Sequence, residues 1–95
     1  MMSEKPYRAK ETERVLKALA NRRRLSILKL LQRRGATPVG SIAESIRLSF
    51  AATSRHLRVL ASADLVESEQ TNTTVSYSLA KYKHPLLHTA LETME

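Results

Sequence analysis

Groups capable of chemistry are few in this chain, which has three histidines and no cysteine. Without cysteine it can form no disulfide, no thiolate metal site and no thiol nucleophile. It also lacks a glycine-rich phosphate loop, a nucleophile elbow and a recognisable catalytic set around its histidines. The sequence therefore argues against an enzyme, and we expect no bound cofactor.

Two of the histidines form the best candidate for a metal site. His84, His88 and Glu92 are spaced i, i+4 and i+8, so a helix would place them along one stripe. A pair of histidines one turn apart can bind zinc, and a symmetric dimer could complete the shell. The same spacing suits an ordinary polar surface flanked by Lys81 and Lys83. We expect no physiological metal site and retain the three residues as candidates only.

The basic residues indicate a different chemistry, the neutralisation of phosphate charge. The net charge is +7, and residues 1–34 hold eleven Lys and Arg against three Glu, a net charge of +8. A basic region of this kind suits a polyanion, because neutralising phosphates releases condensed counterions. Many solvated helix surfaces are equally basic, so charge alone leaves nucleic-acid binding and an ordinary surface both open.

The chain shows no sign of a membrane or secretory segment. No apolar run approaches the ~20 residues that span a bilayer, and the polar residues 1–10 lack the apolar stretch of a signal peptide. We therefore expect a soluble, cytoplasmic protein with no membrane partner. Residues 1–10 have no periodicity and are predicted to be a flexible basic arm, in which Lys5, Arg8 and Lys10 add charge for DNA.

Residues 11–95 are predicted to form one domain that begins with four helices. Asn21 suits the N-cap of the second helix, and Gly35 suits its C-terminal end. Pro38 suits the first turn of the third helix, where no backbone amide is needed. Apolar spacing places the four helices at about residues 11–20, 22–34, 37–47 and 49–63.

The pattern changes to a hairpin and then to a last helix. Asp64 suits a turn because it tolerates the left-handed region. Residues 65–69 and 74–79 are β-prone runs that would form a hairpin, or wing. Pro85 starts a helix whose apolar residues recur at i, i+3, i+4 and i+7. The predicted fold is mainly α with a small β-hairpin, a winged helix-turn-helix of order ααααββα.

The fourth helix has two distinct faces. Thr53, Leu57 and Leu60 are spaced to point inward. The opposite face is small at its start and basic further along, which suits a helix in the major groove: small residues permit close approach, while Ser and Arg reach base edges or phosphates. An ordinary exposed face would have the same spacing. This outward face comprises Phe50, Ala51, Ser54, Arg55 and Arg58.

Several segments resemble the ArsR-type winged-helix repressors. The first is LKALAN at residues 16–21, followed by Arg24-Leu25 and Ile27-Leu28. The second is VGSIAE at residues 39–44. The most specific is LSFAATSRHLRVL at residues 48–60, which continues into DLVE at residues 64–67. The resemblance covers roughly residues 12–80.

The resemblance implies a dimeric prokaryotic repressor that releases its operator when it senses a signal. The family's DNA contacts carry over to Ser49, Phe50, Ala51, Ser54, Arg55 and His56, with Arg58 contacting phosphate. In the family the first and last helices form the dimer interface. In this chain that implicates Val15, Leu16, Leu19, Leu87, Ala90, Leu91 and Met94.

The chain departs from the family pattern in two places. Arg22 and Arg23 occupy a position where the family often has Pro or Thr. The wing is commonly basic in the family, whereas here it carries Glu67 and Glu69, which phosphates would repel. We expect its strands to contribute little to DNA binding, while Asn72 at the tip could still form hydrogen bonds.

Two functions remain open at this point. The first is a sequence-specific, dimeric repressor that binds double-stranded DNA. The alternative is a winged-helix module for protein–protein contact, which the acidic wing would suit. The family's cysteine sensor sites are absent, so the regulation favoured here is by abundance or by a protein partner.

Overall fold

The computed structural model describes residues 8–94 of the chain. Within this range five helices and three short strands follow one another. Their order is α1 (Ala9–Leu19), α2 (Arg22–Arg34), β1 (Thr37–Pro38), α3 (Val39–Ile46), α4 (Phe50–Ser62), β2 (Val66–Thr71), β3 (Thr74–Leu79) and α5 (Pro85–Thr93).

The helix ends follow from the residues that the sequence places there. The Asn21 side chain accepts from the Arg24 amide at 3.0 Å and caps α2. Gly35 ends α2 with φ of 76°, a conformation that costs glycine little. Asp64 takes φ of 60° in the turn that follows α4. All three were predicted from the sequence.

Two boundaries differ from the prediction. Helix α1 begins at Ala9, with the Arg8 amide donating to Glu11 Oε1 at 3.2 Å, so Ala9 and Lys10 belong to the helix and the predicted arm over residues 1–10 is too long. Residues 1–7, including Lys5, lie outside the described residues. Pro38 is not in the first turn of α3 but precedes it as an extended N-cap residue.

The three strands form one antiparallel sheet in the order β1-β3-β2. In the hairpin Val66 pairs with Leu79 and Thr71 pairs with Thr74, as the predicted wing requires. Strand β1 was not predicted: Thr37 and Pro38 pair with Tyr77 and Ser76 of β3. A two-residue strand has no detectable alternation, and its partner lies far along the chain.

The core lies where all five helices meet the base of the sheet. Its fully buried side chains are almost all aliphatic, as a chain with few aromatics requires. None of the helices between residues 8 and 94 has the length and apolar character that crossing a membrane needs. The order of the helices and the antiparallel hairpin confirm the predicted winged helix-turn-helix. The largest buried residues are Ile27, Leu28, Leu31, Ile42, Leu57, Leu60, Leu65 and Leu87.

Candidate nucleic-acid interface

A short turn fixes α4 against α3. Arg47 ends α3 in the left-handed conformation with φ of 59°, and its amide and that of Leu48 hydrogen-bond back to the last turn of α3. Ser49 then caps α4, with its Oγ accepting from the Ala52 amide at 3.0 Å. The two helices are thus joined by a three-residue turn, Arg47–Ser49, with defined geometry. This is the helix-turn-helix that the sequence predicts.

The inward side of α4 attaches it to the core. Thr53, Leu57 and Leu60 each have 0% of their surface exposed, in agreement with the predicted spacing. Burial of the apolar Leu57 and Leu60 side chains stabilises the contact of α4 with the core. The face on the other side of α4 is therefore held at a fixed orientation toward solvent.

The outward side of α4 carries the residues predicted to contact DNA. Ser49, Ala51, Arg55 and Arg58 are exposed, and Ser54 is half-buried. Within residues 8–94 the Arg55 and Arg58 side chains make no hydrogen bond or ion pair. Both guanidinium groups therefore keep all their donors available for an anion or a base edge.

Phe50 at the start of this face remains 61% exposed. It lies at one wall of a groove whose other walls include Gly40 and Glu44 of α3 and Thr73 of the wing. Most of the ring is therefore uncovered. An exposed phenylalanine beside two arginines gives α4 both apolar and charged contacts to offer.

His56 is half-buried, and its ring turns toward Arg24 of α2. Its Nδ1 lies 3.2 Å from Arg24 Nη1, and since a guanidinium has only donors, Nδ1 is the acceptor. Burial lowers the pKa of His56 below 6.5, and the charges of Arg24, Arg55 and Arg23 lower it further. The imidazole is therefore neutral in this contact.

Arg24 was missed by the sequence analysis as part of the site. Its Nε donates to the Ala18 carbonyl at 2.7 Å and its Nη2 to the Lys17 carbonyl at 3.1 Å. The same guanidinium thus caps the C-terminal end of α1 and contacts His56 of α4. The available signal was helical spacing, because Ile27, Leu28 and Leu31 follow Arg24 at i+3, i+4 and i+7 and are all buried.

The wing tip presents polar atoms rather than charge. Asn72 takes φ of 58° in the two-residue turn between β2 and β3, and its carbonyl accepts from Gln70 Nε2 at 3.0 Å. Glu67 and Glu69 are exposed on β2, and Glu67 Oε2 accepts from the Lys81 amide at 3.1 Å. The wing therefore offers hydrogen bonds at its tip and negative charge along one strand.

The residues predicted for a dimer interface divide into two groups. Val15, Leu19, Leu87 and Leu91 are buried in the chain's own core, at 4%, 8%, 0% and 3% exposure. A buried side chain has little surface left for a partner, so these four residues serve mainly the chain's own core, and their place in a dimer interface stays a prediction. Leu16, Ala90 and Met94, together with Leu19, line an open groove between α1 and α5, here called the α1–α5 groove. Its remaining lining includes Leu25, Leu86, Thr89 and Thr93.

The candidate metal ligands do not converge. His84 Nδ1 accepts from the Leu86 amide at 3.0 Å at the start of α5, and His88 Nε2 lies 3.4 Å from Glu92 Oε2 in an exposed pair. No group of three or more His, Asp or Glu residues between positions 8 and 94 has the geometry to hold a metal ion. The stripe of His84, His88 and Glu92 therefore works as a helix cap and a surface contact.

Comparisons with known proteins agree with this architecture. The family model for bacterial regulatory proteins of the arsR family matches residues 21–68. The chain is 31% identical to Mb0332 of Mycobacterium bovis, whose structure is described as a homodimeric winged helix-turn-helix DNA-binding domain; the match covers 98% of this chain and 85% of that one, with a TM-score of 0.76. A comparison with curated proteins gives no match.

Two other solved structures are similar over nearly the whole chain. HlyU of Vibrio cholerae is 30% identical, with 94% of this chain and 92% of that one covered and a TM-score of 0.77. NolR of Sinorhizobium fredii is 29% identical, with 98% and 92% covered and a TM-score of 0.77. The fold and the matching family are those of transcription regulators.

Proposed function

The chain belongs to the ArsR family of bacterial regulatory proteins, and from that membership we propose that it is a transcriptional repressor that binds double-stranded DNA as a homodimer. Each subunit inserts α4 into the major groove. Ser54 and Arg55 contact base edges, and Arg58 contacts the backbone.

The observation that carries this proposal is the outward face of α4. Near its start lies the exposed, small Ala51, which permits close approach to the groove floor. Arg55 follows one turn later with an uncommitted guanidinium, which suits bidentate contact with guanine. A face built only for solubility would not require an exposed Phe50 at its start.

The dimer is supported by the α1–α5 groove. Leu16 is 49% exposed at the groove, although its side chain is fully apolar. Ala90 and Met94 are half-buried beside it. A second copy of this groove would cover these side chains, and the similar domain of Mb0332 is homodimeric.

Selection of preferred sites from random duplexes at one fixed salt concentration tests the proposal. We expect an enriched sequence with two half-sites about 10 bp apart, centre to centre, because the two α4 helices would enter successive major grooves. Binding to that sequence should be at least roughly a thousandfold tighter than to random duplex. Equal affinity for both would contradict the proposal and favour the protein–protein module.

The variant Leu16→Glu tests the dimer in the same assay. A carboxylate in the α1–α5 groove should dissociate the dimer, so sedimentation should give a monomer and the two-half-site preference should weaken. Arg14→Glu is the control for the sedimentation measurement, because Arg14 lies about 200° around the helix axis from Leu16 and does not line the groove. A Leu16→Glu protein that remains dimeric would locate the interface elsewhere.

A further inference from the structure

A cluster of three arginines lies beside α4 and is not used by the contacts described so far. Arg22 and Arg23 in the first turn of α2 face Arg47 in the turn after α3 across an open cleft. Ser26 and Ser45 complete its polar lining. This surface is here called the arginine cleft, and Asp and Glu are absent from its lining.

The charge of the cleft is not neutralised by any residue between positions 8 and 94. Arg22, Arg23 and Arg47 are exposed, and within residues 8–94 their side chains make no hydrogen bond or ion pair. The adjacent Arg24 is different, because its guanidinium is fully engaged by two carbonyls and His56. Three free guanidinium groups around one cleft therefore repel one another until an anion enters.

The position of Arg22 and Arg23 also opposes folding. They occupy the first turn of α2, where the helix dipole favours anions and disfavours cations, and that turn contains no acidic residue. Local stability would be better served by Asp or Glu there. A region that sacrifices local stability for a set of like charges is typical of a binding site.

The arginine cleft is continuous with the outward face of α4. Arg47 belongs to the turn that leads directly into α4. On the other wall, Arg23 is close enough to α4 for its charge, with that of Arg55, to act on His56. A duplex that contacts Arg55 would therefore extend its backbone toward the cleft.

We propose that the arginine cleft binds the phosphate backbone of the DNA strand that flanks the base pairs contacted by α4. Guanidinium groups match phosphate oxygens with paired hydrogen bonds. Ser45 Oγ accepts from Arg34 Nη1 at 3.0 Å, so its own hydrogen remains available to a phosphate. The proposal deepens the DNA-binding function proposed above and rests on it.

The salt dependence of DNA binding tests this proposal. We expect Arg22→Gln combined with Arg23→Gln to reduce the slope of log K against log salt by about 1.8, or 0.9 for each lost phosphate contact. The affinity should fall by the same factor on the selected and on the random duplex, because phosphates carry no sequence information. Arg47→Asn, which tolerates the left-handed conformation, should reduce the slope by about 0.9.

Lys81→Gln combined with Lys83→Gln is the matched control. It removes the same number of positive charges, two, and both lysines are exposed. That segment follows Ala80, whose amide donates to Leu65 beyond the C-terminal end of α4, so it lies away from the cleft. Thermal melts of all variants should show intact folding, since neither pair contributes to the core.

The outcomes separate the cleft from the function on which it rests. A cleft variant with the slope of the control would overturn the cleft proposal even if the wild type binds its selected site tightly. A wild type without sequence preference would overturn the repressor, while a reduced slope on random duplex would still support phosphate binding in the cleft. Binding of inorganic phosphate that the cleft variant loses, with an unchanged DNA slope, would identify a small-anion site and contradict the proposal.

Discussion

The wing and the first turn of α2 both lie beside α4, yet they carry opposite charge. Strands β2 and β3 contain Glu67 and Glu69 and no Lys or Arg. The first turn of α2 contains Arg22 and Arg23 and no acidic residue. Because phosphate charge is attracted to one region and repelled by the other, the α2 side of α4 is the one suited to the DNA backbone.

The two regions also differ in the kind of contact they can make. The wing tip offers uncharged polar atoms around Asn72, which form hydrogen bonds without releasing counterions. The arginine cleft offers charge, which makes binding dependent on salt. The helical side of this winged helix would therefore provide the electrostatic part of the affinity for DNA. The wing would add a smaller contribution from polar contacts.

Arg55→Ala should have the largest effect on this contrast. If Arg55 contacts a base, the variant loses about 1–3 kcal/mol of binding free energy on the selected duplex, and much less on random duplex. Titrations of both duplexes at one salt concentration measure the difference. Arg58→Ala is the comparison, because a phosphate contact should cost the same on both. An Arg55→Ala loss that is equal on the two duplexes would place base contacts elsewhere, with the wing as the next candidate.

Asn72→Gly should have a smaller effect. Glycine keeps the left-handed turn and removes only the side-chain amide, so the loss is that of a hydrogen bond, about 0.5–1.5 kcal/mol. The salt slope should stay unchanged, since no charge is removed. A reduction larger than that of Arg55→Ala, or a fall in slope, would reverse the contrast between the wing and the α2 side.

Acidification should have the smallest effect of the three changes, and it tests the positive charge on the α2 side of α4. The lowered pKa of His56 means that the folded protein favours the neutral ring among Arg23, Arg24 and Arg55. Its contribution to stability is complete above the unfolded pKa of 6.5 and is lost as the pH falls from there through the folded value. Unfolding titrations should show this loss in the wild type and a weaker pH dependence in His56→Gln. Identical pH profiles for the two proteins would show that His56 does not contribute to the pH dependence of stability.

Much of the fold could be predicted because local chemistry determines it. Asn21, Ser49, Gly35 and Asp64 are residue types that end helices or allow turns, and each occupies the predicted position. The inward face of α4 followed from helical spacing in the same way. Strand β1 could not be predicted, because it exists only through its pairing with β3.

The sequence was less informative about which surfaces are shared between chains. An apolar stripe on α1 or α5 predicts burial but does not tell whether the covering surface belongs to the same chain. Leu87 and Leu91 are buried within the chain, whereas Leu16 is left half-exposed. The same apolar spacing would also fit a chain in which Leu16 is buried and Leu87 and Leu91 are exposed. Likewise, Arg22, Arg23 and Arg24 are the same residue type, and the fold shows that Arg24 is the one whose guanidinium bonds other described residues.

Arg24 joins the C-terminal end of α1 to the middle of α4, two regions that are far apart in sequence. Its guanidinium holds the Lys17 and Ala18 carbonyls of α1 and the His56 ring of α4 at once. The last turn of α1 therefore cannot fray without also releasing a contact of α4. Local opening of these two regions becomes a single cooperative event, so their backbone amides would exchange with solvent together rather than independently.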